Sequence, residues 1–206
     1  GDYLTWTSDD NKFKPEALEK MHQALVEDRE AQFVFASCRV INDEGKKIEY
    51  ITVNESSKKK IIGMNSVGAC FMYTRKVYET IGEYNPQLLL VEDFDYWQRI
   101  CAHYKAITIN DILYEYRWHD GALTSTMRRD SFNRTLEKTL LKNRPAFGKL
   151  DEEEYYYYYQ GLYNCRKELG DIVNPYEKKY KYFSKIYLIK YKIPAKLKRI
   201  VFKMVK

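Results

Sequence analysis

The alternation of apolar and polar residues predicts both strands and helices in the first third of the chain. β-Branched and aromatic residues open the sequence, and a polar turn follows them. Behind Pro15, apolar residues recur at helical spacing. These patterns predict, in chain order, a strand over residues 3–7, an amphipathic helix over 15–28, two hairpin strands over 32–41 and 47–53, and a mobile loop over 54–60.

The pattern changes from mixed strands and helices to helices alone near the middle of the chain. Further strands are predicted over 66–74, 106–109 and 113–117, and helices over 75–81 and from 92 onward. Beyond Asp130 the pattern is helical, with breaks near Pro145, Pro175 and Pro194. We therefore predict an α/β domain over residues 1–129 and a helical extension over 130–206.

Composition restricts the class of protein. With 206 residues, 45% apolar and 16% aromatic, the chain can bury one sizeable core. Its longest apolar stretch, residues 67–73, is far shorter than the roughly 20 residues of a bilayer-spanning helix. No secretory leader is recognisable, and the four scattered cysteines fit reduced thiols, so a cytoplasmic location is expected.

Charge is concentrated at one end of the chain. Residues 176–206 carry a net +10, which leaves the rest of the protein at about −4. Such a tail is expected to meet an anionic surface, and a membrane is preferred to nucleic acid because no groove-reading motif is present. Packing of the tail back onto the domain, with lysines outward, stays open. The apolar positions at helical spacing are Tyr180, Phe183, Tyr187, Leu197, Ile200, Val201 and Met204.

Four motifs carry a family resemblance. Residues 4–11 read LTWTSDDN, residues 68–73 read GACFMY, residues 92–97 read EDFDYW, and YRWH begins at Tyr116 and leads to Ser125. In this order and spacing, over residues 3–127, they resemble the motif series of family-2 glycosyltransferases with the GT-A fold. The resemblance implies a mixed α/β sheet of the kind that binds nucleotide-diphospho-sugars.

The resemblance also implies an activity. A family-2 enzyme moves a sugar, with inversion, from a nucleotide-sugar donor to a glycan or lipid-linked acceptor, as in cell-surface polysaccharide synthesis at the inner face of the plasma membrane. Family members carry a nucleotide-binding unit ahead of the acidic motif, so a sheet incomplete at its N-terminus is expected. Whether the chain is active alone stays open, and an exposed edge at residues 3–7 predicts dimerisation or aggregation.

The same resemblance implies a metal site. Transfer expels a diphosphate, and Mn²⁺ or Mg²⁺ neutralises its charge through carboxylate oxygens. Asp10 is the first choice of ligand, Asp9 would contact metal or ribose, and His119 would lie near metal and diphosphate. The family's first aspartate falls at Thr7, which leaves the exact ligand open. A structural alternative is that residues 8–11 form only a turn before the Pro15 helix.

A catalytic base is implied by the third motif. Asp93 matches the family's base, and Glu92 beside it would raise the pKa of that carboxyl. Asp95 is a weaker candidate for substrate binding, because acids also favour the first turn of a helix for structural reasons. Arg117 would pair with phosphate, or as a strand-end arginine with a nearby acid at the surface. Trp97 would stack on a sugar ring or pack in the core.

A second function class is a non-catalytic module with the GT-A fold, which binds a membrane or another anionic partner through the basic tail. The acidic residues of two separate motifs favour the enzyme. Metal-dependent binding of a nucleotide diphosphate distinguishes the two classes.

Overall fold

The computed structural model describes residues 1–88, 90–122 and 128–193 of the chain. Within these residues a mixed sheet of six strands lies at the centre of an α/β fold, as predicted. The assignment to the GT-A fold in particular stays a prediction. The strands are β1 (Tyr3–Leu4), β2 (Lys12–Phe13), β3 (Ala31–Ile41), β4 (Lys47–Ile51), β5 (Phe71–Thr74) and β6 (Lys105–Arg117).

The strand directions bring three chain segments to one edge of the sheet. The strand order is β1-β5-β3-β6-β2, and β4 pairs with the second half of β3. β3 is parallel to β6 and antiparallel to β5, which in turn is antiparallel to β1. Consequently β1, β3 and β6 run in the same direction, and the residues that follow each of them meet at their carboxyl ends.

Helices lie on both faces of this sheet because successive residues of β3 point to opposite sides. Phe33 and Phe35 join one core cluster with Trp97, whereas Val34 and Ala36 join a second cluster. The helices are α1 (Ala17–Glu27), α2 (Glu55–Lys60), α3 (Arg75–Ile81), α4 (Glu92–His103), α5 (Arg129–Asn143), α6 (Glu152–Glu168) and α7 (Glu177–Tyr187), with a 3-10 turn at Arg144–Phe147 and a π turn at Leu188–Lys192.

Several elements differ from the prediction, and strand β2 was not predicted. The segment predicted to be a mobile loop is α2, because Asn54 caps it: its side chain accepts a bond from the Ser56 N–H, while Ser57 Oγ accepts one from the Asn54 N–H. The two short strands predicted after α4 are a single strand, β6. Its pairing with β3 shifts register between Ile109 and Ile112, where the polar residues suggested a break.

The strands predicted at residues 3–7 and 66–74 are shorter than expected. β1 ends at Leu4, although Thr5 Oγ1 still donates to the Phe71 carbonyl at 2.6 Å. β1 pairs with β5 and forms one end of the sheet within the described residues. The expected self-association along this edge stays a prediction.

One hydrophobic core joins the α/β part and the helical extension. Leu140, Tyr157 and Leu162 from the extension belong to the same buried cluster as Phe33 and Trp97. At the contact, a Cβ on Gly161 would lie 2.1 Å from the Gly63 carbonyl oxygen. The two parts therefore pack against each other backbone to backbone.

The tail helix α7 packs on α6 through aromatic rings. Phe183 stacks on Tyr155 with centroids 4.9 Å apart, and Tyr187 stacks on Tyr156 at 4.1 Å. The apolar stripe that suggested contact with a membrane surface is thus in contact with protein over α7. Leu197, Ile200, Val201 and Met204 lie outside the described residues. No described helix is both long and apolar enough to cross a bilayer.

Candidate functional site

A cleft of about 360 Å³ opens where the segments following β1 and β6 meet the start of α4. The strand directions account for this position, since β1 and β6 end at the same edge of the sheet. Most of the lining residues are polar. The cleft is lined by Ser8, Asp9, Asp10, Asn11, Leu90, Glu92, Asp93, Tyr116, Arg117, His119, Gly121 and Ala122.

Asp10 and His119 form a polar pair in this cleft although 108 residues separate them in the sequence. His119 Nε2 lies 3.2 Å from Asp10 Oδ2, and both side chains are partly exposed. Burial alone would raise the pKa of the Asp10 carboxyl, but hydrogen bonds from Ser8 and His119 outweigh it and hold that pKa below its ordinary value. Asp10 is therefore a carboxylate at neutral pH and can act as a ligand for a cation.

The loop that carries Asp10 is held in place by Arg117. The Arg117 backbone N–H donates to Asn11 Oδ1 at 2.7 Å, and its Nε donates to the Asp10 carbonyl at 3.1 Å. Its Nη1 donates to the carbonyls of Asn42 and Asp43 at 2.7 and 2.8 Å. These bonds favour a positioning role for Arg117, and the phosphate contact expected from the sequence stays a prediction.

Asp9 and Gly121 complete this side of the cleft. Asp9 is exposed and lines the cleft beside Asp10, where it can reach a bound ligand. A Cβ at Gly121 would lie 3.3 Å from His119 Nδ1, so the absence of a side chain leaves room for the imidazole. Sequence reasoning did not single out Gly121, although it lies within the motif that runs from Tyr116 to Ser125, because a glycine has no side chain that could suggest a chemical role.

Asp93 lies in the first turn of α4 and lines the same cleft as Asp10. Its Oδ2 accepts a hydrogen bond from Asn65 Nδ2 at 3.0 Å, and Oδ1 accepts one from the Phe94 N–H at 2.5 Å. Burial, aided by the charge of Glu92, raises the pKa of Asp93 above its ordinary value despite these bonds. Asp93 therefore has the environment expected of a general base.

Glu92 presents a carboxylate oxygen without a protein donor. Its Oε2 is buried, and no donor among the described residues reaches it. Because a buried carboxylate oxygen without a hydrogen bond is costly, the usual explanation is a ligand or water that the protein atoms leave room for. Glu92 lines the same cleft as Asp93, and its negative charge acts on the Asp93 carboxyl.

Asp95 and Trp97 are turned away from the cleft. Asp95 is fully buried, where Arg99 Nε donates to its Oδ2 at 2.8 Å and Asn143 Nδ2 to its Oδ1 at 3.0 Å. Trp97 is also fully buried and stacks on Phe33 with centroids 5.0 Å apart. Asp95 thus joins α4 to the extension and Trp97 fills the core, so neither can contact a substrate in this structure.

The donor atoms suit a divalent cation that is shared with a phosphate ligand. Among the described residues, no group of three or more His, Cys, Asp or Glu side chains is arranged to hold a metal ion. Asp10 and His119 supply one carboxylate and one imidazole, and Asp9 adds a second carboxylate nearby. Mg²⁺ is commonly held by one or two carboxylates together with substrate phosphates, so this partial set fits such an ion.

Comparison with known proteins gives one distant relative. No family model matches the chain. Over 101 residues the chain is 28% identical to a protein of Haemophilus influenzae described as an uncharacterized glycosyltransferase. The match covers 47% of this chain and 34% of that protein, so the chain spans about a third of the relative's length. The class to which this fold and cleft can be compared is therefore the glycosyltransferases.

Proposed function

We propose that this chain carries the catalytic site of a metal-dependent glycosyltransferase that inverts the configuration of the transferred sugar. One observation carries the proposal: a single cleft contains Asp10 with a lowered pKa and Asp93 with a raised one. Environments that push the pKa values of two carboxyls apart are typical of sites where the two have different roles. The glycosyltransferase relative agrees with this chemistry.

The donor is a nucleotide-sugar, and its diphosphate lies on the side of Asp10 and His119. Asp10 and His119 would hold Mn²⁺ or Mg²⁺ beside the diphosphate, and Asp9 would contact the ion or the ribose. Such an ion would neutralise negative charge on the leaving diphosphate. Arg117 contributes indirectly, because its bonds to the Asp10 carbonyl and Asn11 side chain keep this loop in position.

The acceptor is a glycan or a lipid-linked sugar, and its hydroxyl lies on the side of Asp93. The hydroxyl oxygen attacks the anomeric carbon as the bond from that carbon to the diphosphate oxygen breaks, and Asp93 takes the hydroxyl proton. A single displacement of this kind inverts the anomeric configuration. Asn65 orients the Asp93 carboxylate through its 3.0 Å hydrogen bond, and Glu92 raises the proton affinity of that carboxylate.

The proposed activity suggests a biological setting for the enzyme. We place the enzyme in the synthesis of a cell-surface polysaccharide, with the cytoplasmic face of the membrane as its working surface. The lysines of α7 support that location, since its aromatic side contacts α6 and leaves the basic residues exposed. They also favour the alternative, a non-catalytic module that binds an anionic partner through the tail.

Nucleotide binding tests the proposal. We expect UDP or GDP to bind in titration calorimetry when Mn²⁺ is present and to lose most of that affinity in EDTA, in the longest form of the protein that carries this chain. Asp10→Ala should abolish the metal effect, whereas Glu44→Ala at the tip of the β3–β4 turn should preserve it. Binding of neither nucleotide, or equal binding with and without metal, would reject the enzyme and favour the alternative.

A further inference from the structure

A second cleft of about 300 Å³ adjoins the first one and shares Leu90 and Asp93 with it. Leu90 has a φ of 69°, an unusual backbone conformation for a residue other than glycine. Such backbone strain is found most often at functional sites, where the surrounding structure maintains it. Asp93 is thus reachable from two sides.

The second cleft is built by the α/β part and the helical extension together. The α/β part contributes Met64, Asn65 and Phe94, and the extension contributes Phe132 and Leu136 from α5 with residues of α6. The close backbone contact of Gly63 with Gly161 lies in its wall. A ligand in this cleft would therefore contact both parts of the chain at once.

The lining has the chemistry of a site for an uncharged sugar. Its apolar side chains offer surface to the C–H face of a ring, while the amides of Asn65 and Asn164 can bond to hydroxyls. Asn164 is exposed, and Asn65 already donates to Asp93. No Lys, Arg or His is among the described lining residues, and Asp93 is the single charged side chain there.

We propose that this second cleft is the acceptor subsite and that it receives one uncharged sugar residue, with a hydroxyl directed toward Asp93. The proposal rests on the proposed function, because it assigns the acceptor side of the same reaction. The cleft volume of about 300 Å³ is at the lower limit for small-molecule sites, so it supports the binding of a single sugar residue. An anionic sugar is disfavoured, as its carboxylate or phosphate would meet Asp93 without a cationic partner.

The test uses simple glycosides as acceptor probes. Methyl glucoside, methyl galactoside and methyl N-acetylglucosaminide are titrated into ¹⁵N-labelled protein, with methyl glucuronide as the anionic counterpart. We expect at least one neutral glycoside to shift the side-chain amide signals of Asn65 and Asn164. The glucuronide should bind about tenfold more weakly, which corresponds to roughly 1.4 kcal/mol.

Two variants and a control locate the binding site. Leu136→Trp should fill the cleft and abolish the glycoside shifts, whereas Leu141→Trp on the exposed side of the same helix should preserve them. If Leu136→Trp impairs folding, Asn164→Ala serves instead, because Asn164 is exposed and its loss should weaken glycoside binding several-fold. Shifts that persist with unchanged glycoside affinity in both cleft variants, or glycosides that perturb no cleft signal, would overturn the proposal.

Nucleotide binding, measured in the same variants, separates this proposal from the function on which it rests. The expected result is metal-dependent UDP or GDP binding that persists in both variants, with glycoside binding lost in Leu136→Trp and weakened in Asn164→Ala. Nucleotide binding without any glycoside response in the cleft would reject the acceptor subsite alone. Glycoside binding in the cleft without nucleotide binding would reject the transferase and leave a saccharide site.

Discussion

Gly63 and Gly161 touch through their backbones, and neither position has room for a side chain. A Cβ on Gly63 would lie 1.9 Å from the Tyr157 carbonyl oxygen, and one on Gly161 would lie 2.1 Å from the Gly63 carbonyl oxygen. Both distances involve main-chain atoms, which cannot move aside as the end of a flexible side chain can. This contact fixes the helical extension against the α/β part beside the second cleft.

Gly161→Ala should destabilise the protein even though glycine is unfavourable inside a helix. Alanine would gain about 1 kcal/mol from helix propensity, but overpacking against the Gly63 backbone costs more, so we expect a net loss of about 2 kcal/mol. Urea unfolding measures the change. Asn164→Ala, three residues further along the exposed side of α6, should change the free energy of unfolding by less than about 0.5 kcal/mol. Equal stabilities of the two variants would contradict the close contact.

Asp10→Ala should weaken metal-dependent nucleotide binding and sugar transfer together. The side chain is a carboxylate at neutral pH and lies 3.2 Å from His119, so its removal takes away the anionic ligand of the proposed cation. We expect nucleotide affinity in Mn²⁺ to fall at least about tenfold. Calorimetry with and without EDTA measures it. An unchanged metal response would place the cation elsewhere.

Asp93→Asn should separate catalysis from donor binding. The amide keeps the size of the side chain but cannot accept the acceptor's proton, so turnover should fall by roughly 100-fold or more. Nucleotide affinity should stay near that of the unchanged protein, because the proposed cation ligands are untouched. A transfer assay together with calorimetry checks both parts. Equal loss of nucleotide affinity in Asp93→Asn and Asp10→Ala would contradict the assignment of separate roles.

The acid side of the pH profile should depend on Glu92. Burial and the charge of Glu92 raise the pKa of Asp93, and the base works only when ionised, so activity should be lost on acidification at a higher pH than for an ordinary aspartate. Glu92→Gln removes one cause and should shift this limb of the turnover profile toward lower pH. If the acid limb of the profile stays at the same pH in Glu92→Gln, the ionisation of Asp93 does not set that limb.

The same raised pKa has a consequence for stability. A carboxyl whose pKa is higher in the folded than in the unfolded protein binds more protons when folded, so its contribution to stability falls as pH rises through the folded-state pKa. Asp93→Asn should therefore raise the free energy of unfolding at neutral pH, and this gain should shrink on acidification. Chemical denaturation at several pH values measures it. A variant less stable than the unchanged protein at neutral pH would contradict the shift.

Much of the fold was predictable because local patterns and tertiary packing agree. The hairpin of β3 and β4, the helices α1, α3 and α4, and the helical extension all follow from apolar spacing and helix ends. Segment 54–60 was missed because its serines and lysines show no apolar period, while the cap formed by Asn54 and Ser57 stabilises α2. β6 was predicted in two parts because Asn110 and Asp111 resemble a turn, although parallel pairing with β3 continues past them.

The candidate site was predictable only in part, for a physical reason. Acidic residues in recognisable motifs mark Asp10 and Asp93, but hydrogen-bond partners such as Asn65 come from distant segments and carry no local signal. Asp95 shares the acidic motif yet is bound to Arg99 and Asn143 in the interior, which spacing could not reveal. The described residues that line the second cleft come from four separate segments of the chain, so no local sequence pattern marks the cleft.

Deletion of the basic tail is not a suitable test of membrane binding. Deleting residues 176–206 would uncover the tyrosines of α6 that stack on Phe183 and Tyr187, so a loss of binding could reflect altered packing. Substitutions on the outward side of α7 avoid this problem. Lys178 and Lys185 are exposed and lie about half a turn from the packed aromatic side.

Charge reversal of Lys178 and Lys185 to glutamate should therefore reduce sedimentation with anionic vesicles while the fold is retained. Each basic residue near an anionic leaflet contributes about 1 kcal/mol, so replacing both should lower the partition coefficient by at least about tenfold. Ile172 and Val173 are almost fully exposed just ahead of α7, and their replacement by serine should weaken binding further if apolar side chains enter the interface. The matched control reverses Lys46 and Lys47 near the β3–β4 turn. Equal sedimentation with neutral and anionic vesicles, or equal losses in the two charge-reversal variants, would show that the outward side of α7 does not contact a membrane.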